Sequence, residues 1–305
     1  MAITVTQLTA FLATVRGGSV TAAADELVVT QPSVSSAIAA LGRELGCELF
    51  ERAGRGIRLT EAGSAFRPFA ADVIGLLEEG RQAAREAVDI ASRRLRIAAV
   101  TTAAESFVPP LMHEFAVRHP DVELTLDVGN REYVFERVMS HLADVAISGK
   151  PPVDEHLVAE SLLENQIACI TNPDDPAAAA GAAEAGSLAD RVWLLREPGS
   201  GTRALGEQFL EERGLSPRTL TLGSNGAIKQ AARAGLGVSL VSRAAVEPEL
   251  AAGWLGAITL SDGPASRPWF VLRSAVGPVR APAETFANFL RAEARELGSF
   301  GAAAD

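Results

Sequence analysis

The longest regular hydrophobic pattern in the chain lies between Thr60 and Ile90. Thr60 can cap a helix there, which would be about 45 Å long at 1.5 Å per residue. The alternating steps of four and three are typical of a coiled-coil seam, which favours pairing with a second helix. One helix of an intramolecular bundle is the alternative. The apolar or small residues of this seam are Ala62, Phe66, Phe69, Val73, Leu76, Gly80, Ala83, Ala87 and Ile90.

Three shorter amphipathic helices are predicted before the long helix. Ser19 can cap the second, VTAAADEL, and Thr30 can cap the third, with Pro32 in its first turn, where proline is tolerated. Two short helices joined by a tight turn are typical of a helix-turn-helix, whose second helix enters the major groove of DNA. An ordinary helical hairpin with a polar rim is the alternative. The third helix begins with small polar residues that can reach base edges, namely Gln31, Ser33, Ser35 and Ser36.

A pair of short strands is predicted next, at Leu49–Arg52 and Ile57–Thr60. They enclose a tip that contains Arg55, and such a β-wing suits contact with the phosphates of DNA. Charge alone does not identify residues 1–62 as a DNA-binding segment, because their acidic and basic side chains are nearly balanced. The whole chain carries a net charge of −10, which argues against a generally basic nucleic-acid binder.

Strand and helix patterns alternate after the long helix, which is typical of mostly parallel sheets with helices on their faces. The order indicates two α/β lobes with the chain crossing between them, as in the periplasmic-binding-protein-like fold, whose ligand lies in the cleft. The predicted strands are Leu95–Val100, Val122–Val128, Ala143–Ile147, Ile167–Thr171, Val192–Leu195, Thr219–Leu222, Gly237–Val241 and Trp269–Leu272. The main predicted helices are 104–118, 133–141, 203–213, 225–234 and 283–297.

These patterns divide the chain into three parts. A winged helix-turn-helix domain of α-helices plus a wing occupies residues 1–59, and a linker helix occupies 60–91. A two-lobed α/β domain occupies 92–305, with lobe I at 92–164 and 268–305 and lobe II at 165–267. The predicted fold class is therefore α/β with an all-α-plus-wing N-terminal domain.

Three places in the two-lobed domain are typical of ligand contact. Thr101 and Thr102 follow a strand and precede a helix, a glycine-rich loop leads to Arg203, and Asn225 opens another helix. Helix N-termini bind anions through free N–H groups, although each place alone is explained by ordinary helix capping. Their convergence on one cleft favours a small anionic effector. The glycine-rich loop lacks the Gly-Lys-Ser/Thr spacing of a nucleotide-binding P-loop.

Composition excludes several other classes of protein. The chain has no apolar run of about 20 residues and its start lacks a secretory signal, so we expect a cytoplasmic protein without a membrane partner. Cys47 and Cys169 form no metal or redox motif, and the histidines lack zinc-ligand spacing. We find neither a nucleophile–base pair nor a cofactor fingerprint, and thus expect no catalytic residues, cofactor or metal. An enzyme that uses the cleft is the distant alternative.

The N-terminal motifs resemble the winged helix-turn-helix of LysR-type transcriptional regulators. The runs Ser-x-Thr-Ala-Ala-Ala, Thr-Gln-Pro-Ser-Val-Ser, Leu-Phe-Glu-Arg and Leu-Thr-Glu-Ala-Gly occur in the order and at the spacing of that family. The resemblance implies a cytoplasmic DNA-binding regulator that forms a homodimer through the linker helix. A tetramer and contact with RNA polymerase are further expectations. The residues implied at the DNA groove are Gln31, Pro32, Ser33, Ser35 and Ser36, with Arg52 and Arg55 on phosphates.

The C-terminal motifs resemble one branch of that family. VGNREYVFERV, ADVAISGKPP, LLREPGSGTR and LGSNGAIKQAARAGLGVSLVSRAAV are similar to the effector domains of CbbR-type activators of RuBisCO operons and of CysL/YeiE-type regulators linked to sulfite metabolism. The first group implies a phosphorylated effector and a carbon-fixation operon, the second a smaller sulfur oxyanion. Arg131 is a further charged candidate. The residues that the resemblance implies at the cleft are Thr101, Thr102, Gly149, Thr202, Arg203 and Asn225.

Overall fold

The computed structural model describes residues 2–53, 56–89, 93–180 and 182–301, with side chains up to residue 294. The chain forms two compact units. The first unit comprises Met1–Asp89, Met139–Leu142 and Val276–Pro278. The second unit comprises Ile90–Val138, Ala143–Ala275 and Val279–Asp305. Among the described residues, no helix has both the length and the apolar character needed to cross a bilayer.

The first unit consists of four helices and a two-stranded wing. Its elements are α1 (Val5–Gly17), α2 (Val20–Leu27), α3 (Gln31–Leu45), β1 (Phe50–Ala53), β2 (Gly56–Leu59) and α4 (Glu61–Val88). The short helices begin where the capping signals predict, because the side chains of Ser19 and Thr30 accept hydrogen bonds from backbone N–H groups three residues on. Phe11, Leu41 and Leu49 are fully buried in the core that these elements share.

Helix α4 presents two different apolar faces. One face packs inside the first unit, with Phe66 and Ile74 against the core and four small residues fully covered. Phe69 and Val73 lie outside this core, 66% and 51% exposed, and Leu77 is also exposed. Phe66, a predicted seam residue, thus packs against the core of the first unit, and pairing of α4 with a second helix stays a prediction. The small buried residues are Gly63, Ala70, Ala71 and Gly75. The last seam position, Ile90, lies outside the described residues.

The second unit contains two lobes built around separate sheets. Lobe I contains β3 (Arg94–Val100), β4 (Glu123–Gly129), β5 (Val145–Ser148), β6 (Leu157–Asn165) and β13 (Arg267–Ser274). Lobe II contains β7 (Ile167–Thr171), β8 (Ala182–Ala183), β9 (Trp193–Arg196), β10 (Thr219–Leu222), β11 (Ser239–Ser242) and β12 (Gly256–Leu260). The helices are α5 (Thr101–Ala104), α6 (Val108–Arg118), α7 (Arg131–Met139), α8 (Pro176–Ala179), α9 (Gly201–Glu212), α10 (Asn225–Arg233), α11 (Glu247–Ala251) and α12 (Ala281–Gly301).

Both lobes have mixed sheets rather than the mostly parallel sheets that the pattern predicts. In lobe I the order is β4-β3-β5-β13-β6, with β13 antiparallel to both of its neighbours. In lobe II β7 lies antiparallel between β11 and β12, while β9 and β10 form a separate parallel pair. The cause is the chain path, because β13 returns from lobe II and inserts beside a long strand, β6, that the pattern does not reveal.

The helix predicted at residues 104–118 is two helices. α5 ends at Ala104, and α6 starts at Val108 because Pro109 and Pro110 occupy its first turn, where proline is compatible with a helix start but not with its interior. This break leaves Thr102 in the first turn of a short helix at the carboxyl end of β3. Phe115 of α6 and Phe286 of α12 bury their rings in the lobe I core, 5.0 Å apart.

Candidate functional site

The first half of α3 forms an exposed polar surface in the first unit. Val34 and Leu41 are buried and hold the opposite side of the helix in the core. Gln31 Nε2 donates to Thr21 Oγ1 at 2.7 Å, which orients the side chain at the helix start. The predicted DNA-contacting residues of this helix are all exposed, namely Gln31, Pro32, Ser33, Ser35 and Ser36.

The wing presents charged side chains on its two strands. Arg52 is exposed on β1, opposite Ile57 of β2. Next to this pair, Arg58 forms an ion pair with Glu51 at 2.7 Å, a contact that the sequence motifs do not indicate. Arg55, the other predicted phosphate contact, lies outside the described residues.

A cavity of about 90 Å³ lies between the two lobes of the second unit. Three predicted effector residues line it. Thr102 comes from α5, directly after β3, Gly149 from the residue after β5, and Thr202 from the first turn of α9. Because a helix N-terminus has N–H groups without intrahelical acceptors, the start of α9 adds positive partial charge to this wall.

The other three predicted effector residues make contacts elsewhere. The Thr101 hydroxyl donates to the Gly129 carbonyl at 3.1 Å. The Arg203 guanidinium donates to the Arg196 carbonyl at 2.9 Å and lines a neighbouring cavity of about 410 Å³. Asn225 is buried and hydrogen-bonds to Thr102 behind the cavity wall. These three do not line the 90 Å³ cavity, although Asn225 contacts a residue that does.

The charged side chains that line the cavity in the described part of the chain are all cations, namely Arg131, Lys150 and Arg267. Partial burial lowers the pKa of Arg131 below the ordinary arginine value, and the positive charge of Arg267 lowers it further. Arg131 also stacks over Phe135, with 5.2 Å between the guanidinium carbon and the ring centre. A guanidinium whose ionised form is disfavoured by burial and by a neighbouring positive charge indicates a site that an anion would stabilise.

Neutral donors complete the cavity wall. Ser148 is fully buried, and its hydroxyl has no hydrogen-bond partner among the described residues. Ser242 donates to Asn165 at 2.6 Å, where the chain crosses between the lobes. Trp269 gives an apolar side to the cavity. A buried hydroxyl without a partner is costly unless a ligand or water supplies one, so Ser148 is a candidate ligand donor that the sequence pattern did not reveal.

Other chemistry has little support in the described residues. They contain no group of three His, Cys, Asp or Glu side chains arranged to hold a metal ion. Burial and, to a smaller extent, the charge of Asp175 raise the pKa of the Cys169 thiol to about 12, so this thiol stays protonated at neutral pH. The cavity with its cations and hydroxyls is thus suited to binding an anion.

Two family profiles match the chain. A bacterial regulatory helix-turn-helix of the lysR family matches residues 5–64, and a LysR substrate binding domain matches residues 89–295. The chain belongs to the LysR family of transcriptional regulators. The motif resemblance and the predicted fold class are both confirmed, because the winged helix-turn-helix and the two-lobed α/β domain coincide with the matched regions. The family is one of DNA-binding regulators rather than enzymes.

Relatives of this LysR regulator include proteins of the expected branch. The RuBisCO operon transcriptional regulator of Allochromatium vinosum is 35% identical over 298 residues, 97% of this chain and 98% of that protein. The uncharacterized regulator YeiE of Escherichia coli K12 is 31% identical over 263 residues, 85% and 87% of the two chains. The regulatory domain of Synechocystis PCC6803 CcmR in complex with 2-PG is 33% identical, with a TM-score of 0.63, covering 66% of this chain and 97% of that one.

Proposed function

We propose that this LysR regulator responds to a small phosphorylated carboxylate of the 2-phosphoglycolate class and controls carbon-fixation genes. The observation that carries the proposal is the cavity whose charged lining consists of Arg131, Lys150 and Arg267. A phosphate dianion joined to a carboxylate has about three negative charges, which matches three cations. A sulfur oxyanion has at most two and would leave one cation unpaired.

Size supports the same class of ligand. A cavity of about 90 Å³ suits a compact anion better than a sugar bisphosphate or a dinucleotide. The CcmR regulatory domain, which is 33% identical to this chain, is described in complex with 2-PG. The RuBisCO operon regulator relative supports carbon fixation as the regulated process. Thr102, Ser148 and Thr202 would add neutral hydrogen bonds to phosphate or carboxylate oxygens.

We further propose that the first unit binds promoter DNA as a dimer. The exposed start of α3 would enter the major groove with Gln31, Pro32, Ser33, Ser35 and Ser36, while Arg52 and Arg55 would contact phosphates. The exposed stripe of Phe69, Val73 and Leu77 on α4 would pair with the same stripe of a second copy. Assembly into a tetramer and contact with RNA polymerase rest on the family resemblance alone. Ligand binding would act on DNA by shifting the balance between two arrangements of the lobes.

Titration calorimetry on the full chain tests the ligand class. We expect 2-phosphoglycolate to bind more tightly than sulfite or inorganic phosphate. Removal of one cation by Arg267→Gln should weaken binding of 2-phosphoglycolate by about 10-fold or more, because hydrogen bonds to charged groups contribute about 1.5–3 kcal/mol. Arg243→Gln is the matched control, since Arg243 pairs with Glu247 and does not line this cavity.

Tighter binding of sulfite than of 2-phosphoglycolate would favour regulation of sulfur metabolism instead. Equal loss in the two arginine variants would mean that the anion binds elsewhere. Footprinting on a carbon-fixation promoter, with and without 2-phosphoglycolate, then tests the genetic role. A footprint that stays the same at saturating ligand would contradict the proposed response.

A further inference from the structure

One polar network joins the two lobes behind the effector cavity. Asn225 of lobe II is 3% exposed, and its Nδ2 donates to Thr102 Oγ1 at 3.1 Å and to Glu105 Oε2 at 3.2 Å. Both acceptors belong to lobe I. On the other side, the guanidinium of Arg196, itself 4% exposed, donates to Asn225 Oδ1.

The network fixes which way the Asn225 amide faces. Its oxygen accepts from Arg196, which can only donate, and both of its N–H bonds have acceptors, one being the carboxylate of Glu105. A flipped amide would place its NH₂ group against the guanidinium and its oxygen against the carboxylate. Glu197 holds Arg196 in turn through two hydrogen bonds of 2.7 and 2.8 Å.

This orientation determines whether the Thr102 hydroxyl donates or accepts in its hydrogen bond with Asn225. Thr102 is 7% exposed and lines the cavity. Among the described residues, the only hydrogen bond of its hydroxyl is the one it accepts from Asn225. The hydroxyl proton therefore remains available, and the cavity is where an acceptor for it can lie.

We propose that Asn225 is a positioning residue. It would hold the Thr102 hydroxyl as a donor toward an anion in the cavity, and it would couple that contact to closure of the lobes. The first part rests on the proposed anion site. The second part does not, since the hydrogen bonds between the lobes exist without a ligand. Asn225 would thus act on effector binding without touching the effector.

A double-mutant cycle on the full chain tests this inference, with 2-phosphoglycolate, sulfite and inorganic phosphate as calorimetric probes. Thr102→Val and Asn225→Ala should each weaken the tightest-binding probe by about 10-fold. The double variant should lose far less than the product of the two single losses, because Asn225 acts on the anion through that hydroxyl and only its bond to Glu105 acts independently. A merely structural role predicts independent losses that multiply to about 100-fold, and that result would overturn the proposal.

A second variant separates positioning from loss of packing. Asn225→Asp keeps the shape and the contact with Arg196, but its ionised carboxylate cannot donate to Thr102. We expect it to weaken the probe at least as much as Asn225→Ala, because the Thr102 hydroxyl would donate to the new carboxylate instead and the added negative charge would face Glu105 and the bound anion. If Asn225→Asp binds the probe as tightly as the unmodified chain, the Thr102 hydroxyl does not depend on Asn225 to act as a donor toward the anion, and the proposal is contradicted. Thr101→Val serves as the control, since the Thr101 hydroxyl bonds to Gly129 outside the cavity.

Hydrogen exchange on the ligand-free chain tests the link between the lobes separately. Asn225→Ala should speed amide exchange in residues 101–107 and in the first turn of α10 together. If exchange is unchanged in both segments, Asn225 does not hold the lobes. If none of the three probes binds the unmodified chain, the proposed anion site fails and the positioning role fails with it, while exchange still decides the link.

Discussion

Helix α4 of the first unit and the Asp144 cluster of the second unit are packed in different ways. In the first unit, α4 meets the core through glycines and alanines, and a methyl group added at Gly63 would lie 2.1 Å from the Leu49 carbonyl oxygen. In the second unit, charged side chains are buried with partners. Asp144 is 3% exposed and accepts hydrogen bonds from Arg96 and from Arg280, which is 5% exposed.

The two strategies have different weaknesses. A position where two backbones approach closely is destabilised by any added atom, because the neighbouring main chain cannot move aside. A buried ion pair fails when an atom group is removed, because the remaining charge has no partner in a medium of low dielectric. Helix α4 should thus be sensitive to a larger residue at Gly63, and the Asp144 cluster should be sensitive to the loss of a charge.

Loss of the Asp144 carboxylate should give the largest effect. Asp144→Ala removes the buried carboxylate that accepts hydrogen bonds from both Arg96 and Arg280, and we expect a loss of about 3–5 kcal/mol in the free energy of unfolding. Denaturant unfolding of the full chain, followed at the second unit, measures it. Asp121→Ala is the matched control, because its pair with Arg93 is exposed to solvent and should contribute far less. Similar losses in both variants would remove the distinction between buried and exposed pairs.

Addition of a single methyl group to α4 should come next. Gly63→Ala forces a Cβ against the Leu49 carbonyl, so we expect a loss of about 1–3 kcal/mol. Gly80→Ala on the same helix has nothing within 4 Å of the added atom and should stabilise the helix by up to about 1 kcal/mol. Circular dichroism during denaturation compares the two. Opposite signs are the expected result, and a loss in both would show that the helix tolerates no change at either position.

The contributions of His141 and Asp144 to the free energy of unfolding should depend on pH in opposite directions. His141, in the first unit, lies 3.0 Å from Glu79 and 3.1 Å from Asp72. Burial acts to lower the pKa of His141, but these two carboxylates outweigh it and raise the pKa above the ordinary value. A raised folded pKa gives stability that is complete below about pH 6.5 and is lost as the pH rises through the folded pKa.

For Asp144 the sign is reversed. Burial acts to raise its pKa, but the hydrogen bonds and charges of Arg96 and Arg280 hold the pKa below the ordinary value. Its contribution is complete above about pH 4 and is lost only in acid. Unfolding from pH 5 to 9 should therefore show the advantage of the unmodified chain over His141→Asn shrinking with pH, while its advantage over Asp144→Ala stays constant. A constant advantage over His141→Asn would mean that His141 does not carry the charge.

The difference between local contacts and contacts with distant residues explains which features the sequence could predict. The short helices of the first unit begin at Ser19 and Thr30 because capping is decided within four residues, so pattern and structure agree there. The inner face of α4 was not predicted, since a heptad pattern reports that positions are apolar and not what covers them. Glycine at position 63 signals a close approach only once Leu49 is known to lie beside it.

The candidate site was predictable in part for a related reason. Thr102 and Thr202 lie at the start of helices, a local signal that marks anion contact. Lys150 and Arg267 have no such signal, because they reach the cavity only through the return of β13 beside β5. Asn225 lies at a helix start, as predicted, but its side chain bonds to Thr102 of the other lobe and does not line the cavity. Pairings between distant strands decide these positions, and no short pattern encodes them.

A substitution at Val28 should give the smallest effect, and it is a gain. Val28 ends α2 with φ 56°, a left-handed conformation that a β-branched residue adopts at a cost, and its side chain is 90% exposed. Val28→Asn relieves the strain without removing packing, so we expect about 1 kcal/mol of added stability. Val29→Asn is the control, since that residue does not have a positive φ and offers no strain to relieve. Denaturation midpoints of the two variants decide the matter. A gain in stability shared by both variants would assign the effect to a polar side chain at the turn. A gain confined to position 28 would show that local backbone strain can be removed from the first unit without any compensating change. Close packing and buried charge do not allow this.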